Sequence, residues 1–256
     1  MKQRFLLLCA ATFFSLLLAS CQKDIVDELP GQPQPGAVKL RTYIEDATNT
    51  SIPVIDTFDI DYDSQDRIIS VLGRITGLKV LYNYRTSDYI TDIKVINQLI
   101  IRSVSYLNTS GWVDSTFQTN DDLDSSASKL IYNSNNQLIE ERFYTYTTET
   151  GSVPAGNDYY EYDANGNVIK YTEKTPAGET IATTTYTYNS FQNTVFLTPQ
   201  YRPVPYKNLP VTKSVVYNGG GAESSETEYT YDNNNVISEK ETSNDGTFVI
   251  KKYIYQ

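Results

Sequence analysis

From Val38 to the C-terminus, apolar and polar residues take turns along the chain at a period of two. Val38, Leu40 and Ile44 alternate with Lys39, Arg41 and Glu45, and Phe58, Ile60 and Tyr62 alternate with Asp59, Asp61 and Asp63. Successive side chains of an extended strand point to opposite faces, so this alternation reads as half-buried β-strand. No stretch keeps the 3.6-residue spacing of an amphipathic helix, and the 22 Tyr, with abundant Thr and Val, favour strands further. The predicted body is all-β, an antiparallel meander of repeated hairpins curled into a barrel-like or partly open sheet.

The alternation is punctuated by a recurring unit. A Tyr ends one strand, a polar turn follows with Asn, Asp or Gly at its fifth position, and an apolar residue starts the next strand. Copies run Tyr62 to Ile68, Tyr84 to Ile90, Tyr132 to Leu138, Tyr162 to Val168 and Tyr231 to Ile237, with looser ones starting at Tyr106, Tyr188 and Tyr217. The starts recur roughly every two dozen residues, which suits two strands and two turns per unit. Asn, Asp and Gly fit because they tolerate positive φ and because short Asx side chains bond their own backbone. The Tyr is expected to lay its ring across the neighbouring strand and keep its hydroxyl in water.

The first residues follow a different rule. Lys2 and Arg4 lead an apolar run from Phe5 to Leu18, and Leu18-Ala19-Ser20-Cys21 closes it. The run is too short to span a bilayer, which takes about 20 apolar residues, and it fits a secretory signal. The closing motif resembles the lipobox of bacterial lipoproteins, which implies cleavage before Cys21 and lipidation of that residue. Lys23, Asp24, Asp27 and Glu28 then resemble the export tag that sends some lipoproteins to the outer face of the outer membrane. The expected location is the outer membrane, lipid-anchored and facing the cell exterior, with lipid on Cys21 as the membrane contact. Pro30, Pro33 and Pro35 with Gly31 and Gly36 resist helix and strand alike. Residues 1–20 thus read as signal peptide, 21–37 as lipidated Cys and tether, and 38–256 as a single all-β domain.

Composition narrows the chemistry. The chain has no His, and its two Cys are Cys9 in the signal and Cys21 at the lipid site. Ser-His-Asp and Cys-His nucleophiles and His-based zinc sites are excluded, and no other constellation singles itself out, so the body is read as non-enzymatic, without cofactor or metal. Asp163 to Asn167 and Asp61 to Asp66 carry alternating oxygens, yet neither completes a calcium loop. Without Lys2 and Arg4, 19 basic residues face 31 acidic ones, a formal charge of about −12 that disfavours nucleic acid as a partner.

Tyr160-Glu161-Tyr162-Asp163-Ala164-Asn165-Gly166 and Tyr229-Thr230-Tyr231-Asp232-Asn233-Asn234 resemble the YD repeats of the RHS class. Together with the lipobox and Lys207-Asn208-Leu209-Pro210, the chain resembles a family of uncharacterised bacterial outer-membrane lipoproteins with a porin-like β fold. That resemblance implies a porin-like sheet and no catalytic residue. A true membrane channel is not expected, because it needs an outward apolar band and strands such as 179–188 offer Thr on one face and a mixture on the other. One segment breaks the hairpin rhythm: Thr198 to Pro210 holds four prolines and interleaves Tyr201, Arg202, Tyr206 and Lys207. Irregular loops of this kind often carry function. These four residues and the sole Trp, Trp112, are the candidate contacts for an extracellular glycan or an envelope protein. A structural or assembly role in the outer envelope is the alternative.

Overall fold

The computed structural model describes residues 39–50, 54–120, 125–147, 151–193, 195, 201 and 206–256. The signal, Cys21, the tether and Arg202 lie outside them. Sixteen strands follow one another: β1 (Leu40–Asn49), β2 (Ile55–Tyr62), β3 (Ile68–Gly73), β4 (Leu78–Tyr84), β5 (Asp88–Val95), β6 (Gln98–Leu107), β7 (Val113–Asn120) and β8 (Ser125–Tyr132). The second half runs β9 (Leu138–Thr147), β10 (Gly151–Tyr162), β11 (Val168–Lys174), β12 (Thr180–Gln192), β13 (Asn208–Tyr217), β14 (Ala222–Asp232), β15 (Asn235–Ser243) and β16 (Phe248–Tyr255).

Each strand pairs antiparallel with its neighbours in sequence, and β1 pairs with β16, Tyr43 opposite Tyr253 and Glu45 opposite Lys251. The sheet is therefore a closed barrel, and the partly open form is excluded. Closure satisfies the edge amides that an open sheet would expose for aggregation. Both described ends meet at one rim, where the Gln256 amide donates to the Lys39 carbonyl at 2.9 Å. The turns after β2, β4, β6, β8, β10, β12 and β14 lie at this same rim, and the other turns lie at the opposite one.

Partners across a ladder share a face, so register sorts the residues into inner and outer walls. The inner wall near the first rim is apolar. Leu40, Phe58, Ile60, Ile68, Val71, Leu209, Val236 and Tyr253 form one buried cluster, and Tyr89, Val113 and Leu130 a second. The outer wall carries charged pairs beside exposed apolar residues such as Leu72, Phe117 and Ile254. Arg102 sits directly opposite Asp92 and bonds it at 2.7 and 2.8 Å, Lys170 sits opposite Glu161 at 2.7 Å, and Arg74 reaches Asp59 at 2.6 and 2.7 Å.

Three copies of the repeat fold alike. In each, the residue after the Tyr accepts two backbone amides with Oδ1: Asp63 from Gln65 and Arg67, Asn133 from Asn135 and Gln137, Asp163 from Asn165 and Asn167. The fifth position is left-handed in all three, with φ of 63° at Asp66, 58° at Asn136 and 88° at Gly166. The other copies differ. Tyr84 pairs directly with Tyr89 across a shorter turn, and β14 and β15 are joined through Asn233 and Asn234, at φ 47° and 67°, a pair suited to a two-residue hairpin turn. The looser copy expected at Tyr106 is shifted by one residue. Leu107 pairs with Val113, Asn108 takes the Asx role and Gly111 the left-handed one at φ 79°, so Leu107 occupies the inward Tyr position. Tyr106 faces out, 47% exposed.

The hydroxyls are not in water. Tyr62, Tyr84, Tyr132, Tyr162, Tyr188, Tyr229 and Tyr255 donate at 2.5–2.8 Å to the carbonyls of Leu40, Ile68, Val113, Leu138, Val168, Pro210 and Val236. Each bond reaches from near the end of an even-numbered strand to the beginning of the odd-numbered strand before it. The strands are staggered, so a ring leaning along the inner wall brings its oxygen to that carbonyl, which would otherwise lack a donor at the rim.

Candidate functional site

In the connection between β12 and β13, where sequence placed candidate ligand contacts, the described residues Val195 and Tyr201 pack at the mouth of the barrel. Val195 packs on the larger buried cluster. The Tyr201 ring lies 5.7 Å from Tyr84 and 5.6 Å from Tyr89 on the inner wall, and its carbonyl accepts the Val113 amide at 2.9 Å. The Arg67 guanidinium sits 4.3 Å over the Tyr84 ring and approaches the Tyr201 hydroxyl at 3.5 Å. Tyr201, between β12 and β13 in sequence, thus sits against β4, β5 and the start of β7.

Entry into β13 is clamped by the turn after β10. Asn167, 1% exposed, accepts the amides of Lys207 and Asn208 at 2.8 Å each and donates to Asp163 and Asn208 at 3.0 Å. Gly166 suits this turn: φ is 88°, and a Cβ would meet the end of the Lys207 side chain at 3.1 Å, which would have to shift. Tyr206 packs on Tyr188 at 6.2 Å, and burial first, then Glu239, pushes its hydroxyl above the ordinary range. Lys207 is exposed. Trp112 is 3% exposed and stacks on Tyr132 at 6.5 Å. The structure therefore brings Trp112, Tyr132 and Tyr201 to one part of the mouth and Tyr206 and Lys207 to another. Most of these groups contact protein rather than solvent.

Away from the plugged rim, the interior turns polar. Glu45, Lys251, Glu239 and Tyr229 follow one another across β1, β16, β15 and β14, and Lys251 bonds Glu239 at 3.0 Å. Burial works against the Lys251 charge, but Glu239, Glu45 and Glu241 outweigh it and hold its ammonium above the ordinary lysine value. Across β9, β10 and β11 stand Glu141, Asp158 and Glu173, three acids in register. Asp158 accepts the Tyr171 hydroxyl at 2.7 Å. Burial pushes the Asp158 carboxyl up to about 6, aided by Glu173 and Glu141 and opposed by the Tyr171 bond. Sequence reasoning missed this row. A signal was present, since Asp158 has the same parity as Tyr160 and Tyr162 and must share their inward face.

At the far rim a depression of about 280 Å³ opens among Lys213, Glu223, Ser225, Glu241 and Asp245. It falls short of the roughly 300–1,000 Å³ of small-molecule sites. Among the described residues, no three His, Cys, Asp or Glu converge as metal ligands.

No protein-family model matches the chain, and no curated protein does. Solved structures do. The barrel is similar to a porin-like protein from Bacteroides uniformis, with a TM-score of 0.64 and 14% identity over 89% of this chain and 99% of that one. A porin-like protein from Bacteroides vulgatus gives 0.60 and 9% identity over 85% and 98%. At these identities the likeness shows the fold. The chain has a porin-like closed antiparallel barrel.

Proposed function

We propose that this chain is a non-catalytic, lipid-anchored protein of the outer envelope, held through Cys21 with its barrel clear of the bilayer at the cell exterior, where it binds an extracellular glycan or protein. The observation that carries this reading is the set of ion pairs on the outer wall. Asp59, Arg102, Asp92, Lys170 and Glu161 stand on it in ion pairs, and an outward Lys or Arg at the bilayer midplane costs about 2–4 kcal/mol. Ion pairs in these positions favour water over lipid. The mouth supports the same reading, because two apolar clusters, with Val195 and Tyr201 packed against them, occupy it. In this reading, exposed Lys207 and the edges of Tyr201 and Tyr206 are the contribution of this rim to a ligand, with Trp112 buried nearby against Tyr132.

Labelled palmitate should enter the parent chain and not Cys21→Ser, protease added to intact cells should shave the parent, and the purified chain should give no conductance steps in planar bilayers. Label retained by the variant, or steady conductance steps, would overturn the reading.

A further inference from the structure

We infer that the outer wall of β5 to β10 is a binding surface for an extended neutral polysaccharide, laid across the strands on a stripe that runs Ile90, Val104, Phe117, Ala127, Tyr144 and Pro154. These six are cross-strand partners in unbroken succession, each directly opposite the next. They share the parity of Asp92 and Arg102, which pair on the outer wall. Five steps between strands at about 4.8 Å give a stripe about 24 Å long and one residue wide.

The chemistry of the stripe and its borders selects the occupant. Phe117 is 38% exposed and Tyr146, one row on, 39%, with their rings 5.6 Å apart edge to face. Between Phe117 and Tyr144 stands Ala127, whose single methyl leaves a slot flanked by two rings. The apolar C–H face of a sugar ring stacks on such a platform, while its hydroxyl rim needs donors and acceptors alongside. Those are present on both sides. Thr119, Ser125 and Ser152, with Tyr146 between the two serines, border one flank, and Tyr106, Ser115, Lys129, Arg142 and Asn157 the other, each in register with the stripe.

Charge decides in favour of a neutral chain. Arg142 is engaged by Glu140 at 2.9 and 3.2 Å, Arg102 by Asp92, and Lys129 faces Asp114 at 3.8 Å. A polyanion would have to break these pairs. The borders argue against a protein, since a stable interface takes about 800 Å² per partner with a broad apolar centre, and here the flanking rows are hydroxyls, amides and charges interrupted only by Tyr106 and Tyr146. This inference rests on the glycan arm of the proposed function.

The test is affinity electrophoresis of the full chain in detergent micelles, through native gels cast with a soluble α-glucan, β-glucan, galactomannan or xylan, and with polygalacturonate as the anionic comparison. Retardation by at least one neutral polymer is expected. Ala127→Glu, which fills the slot, and the double variant Phe117→Ala, Tyr144→Ala should each weaken it about tenfold or more. Thr185→Glu, on the outer wall of β12, should leave it unchanged, and circular dichroism checks that all variants keep the barrel. Retardation that survives both stripe variants would overturn the stripe while leaving a glycan-binding protein in place. No retardation by any neutral polymer would overturn the stripe and the glycan arm together, leaving the protein arm standing. A dimer in sedimentation equilibrium that Ala127→Glu splits would assign the stripe to a second copy of the chain and overturn the inference.

Discussion

Tyr162→Phe removes one oxygen and leaves the ring. The lost bond is the 2.8 Å donation to the Leu138 carbonyl, which ties the end of β10 to the beginning of β9. Burial pushes this hydroxyl up to about 12, so it is a neutral donor at any physiological pH. Apolar burial by the ring is unchanged in Phe, and the cost is that of one net intramolecular hydrogen bond, about 0.5–1.5 kcal/mol. In a barrel of this size, that corresponds to about 2–4 °C in Tm per kcal/mol. Tyr132→Phe and Tyr255→Phe remove equivalent bonds to Val113 and Val236 on other hairpins, with no shared acceptor. The triple variant should therefore lose about 3 kcal/mol by addition. Equilibrium unfolding in guanidinium reports it, with the fluorescence of Trp112, buried against Tyr132, as probe. Tyr106→Phe, at an exposed outward position, is the control and should leave the midpoint unchanged. A triple variant within about 0.5 kcal/mol of the parent would refute the reasoning, because water would then replace the hydroxyls at no net cost.

Asp158 gives the barrel a pH dependence of unusual sign. Its carboxyl titrates near 6 when folded and near 3.8 when unfolded, so between those values the folded state keeps a proton that the unfolded state has lost. This contribution to stability is fully present below about pH 4 and lost as pH rises through about 6. Melts of the parent against Asp158→Asn across that window should show the parent losing stability with rising pH relative to the variant; parallel curves would refute the assignment. Asp56 is 1% exposed and accepts the amides of Thr57, Ile75 and Thr76 at 2.7–3.0 Å and the Thr76 hydroxyl. Asp56→Ala should cost about 3 kcal/mol, read from the denaturation midpoint, because the turn after β3 loses its shared acceptor. Gly156 has φ of 152° and lies where a Cβ would stand 2.8 Å from the Lys174 carbonyl oxygen. Gly156→Ala should destabilise the β10–β11 ladder by about 2 kcal/mol or more in the same assay.

Local chemistry was readable wherever it is decided locally. Asp66, Asn136 and Gly166 occupy the left-handed position that the repeat assigned them, because tolerance of positive φ belongs to the residue itself. Leu107 shows the limit. A Tyr stands one residue earlier, and the choice between Tyr106 and Leu107 as the inward residue depends on the register of β6 with β7, which the pattern of Tyr alone does not fix. The inserted connection was legible as an exception through its prolines. Its destination was not, since the contact of Tyr201 with Tyr84 and Tyr89 joins residues more than a hundred positions apart and depends on the width of the mouth.

By itself, the sequence determined that the body is β, where its hairpins turn and which residues bend them, because period-two alternation and Asx or Gly turns are properties of a few consecutive residues. Tertiary structure decided the closure of β1 on β16, the donation of the Tyr hydroxyls to backbone carbonyls, the packing of Val195 and Tyr201 at one mouth and the cross-strand alignment of Ile90 through Pro154 on the outer wall. These follow from stagger and register accumulated over sixteen strands, and a shift of one residue in any ladder would turn that strand's inner face outward.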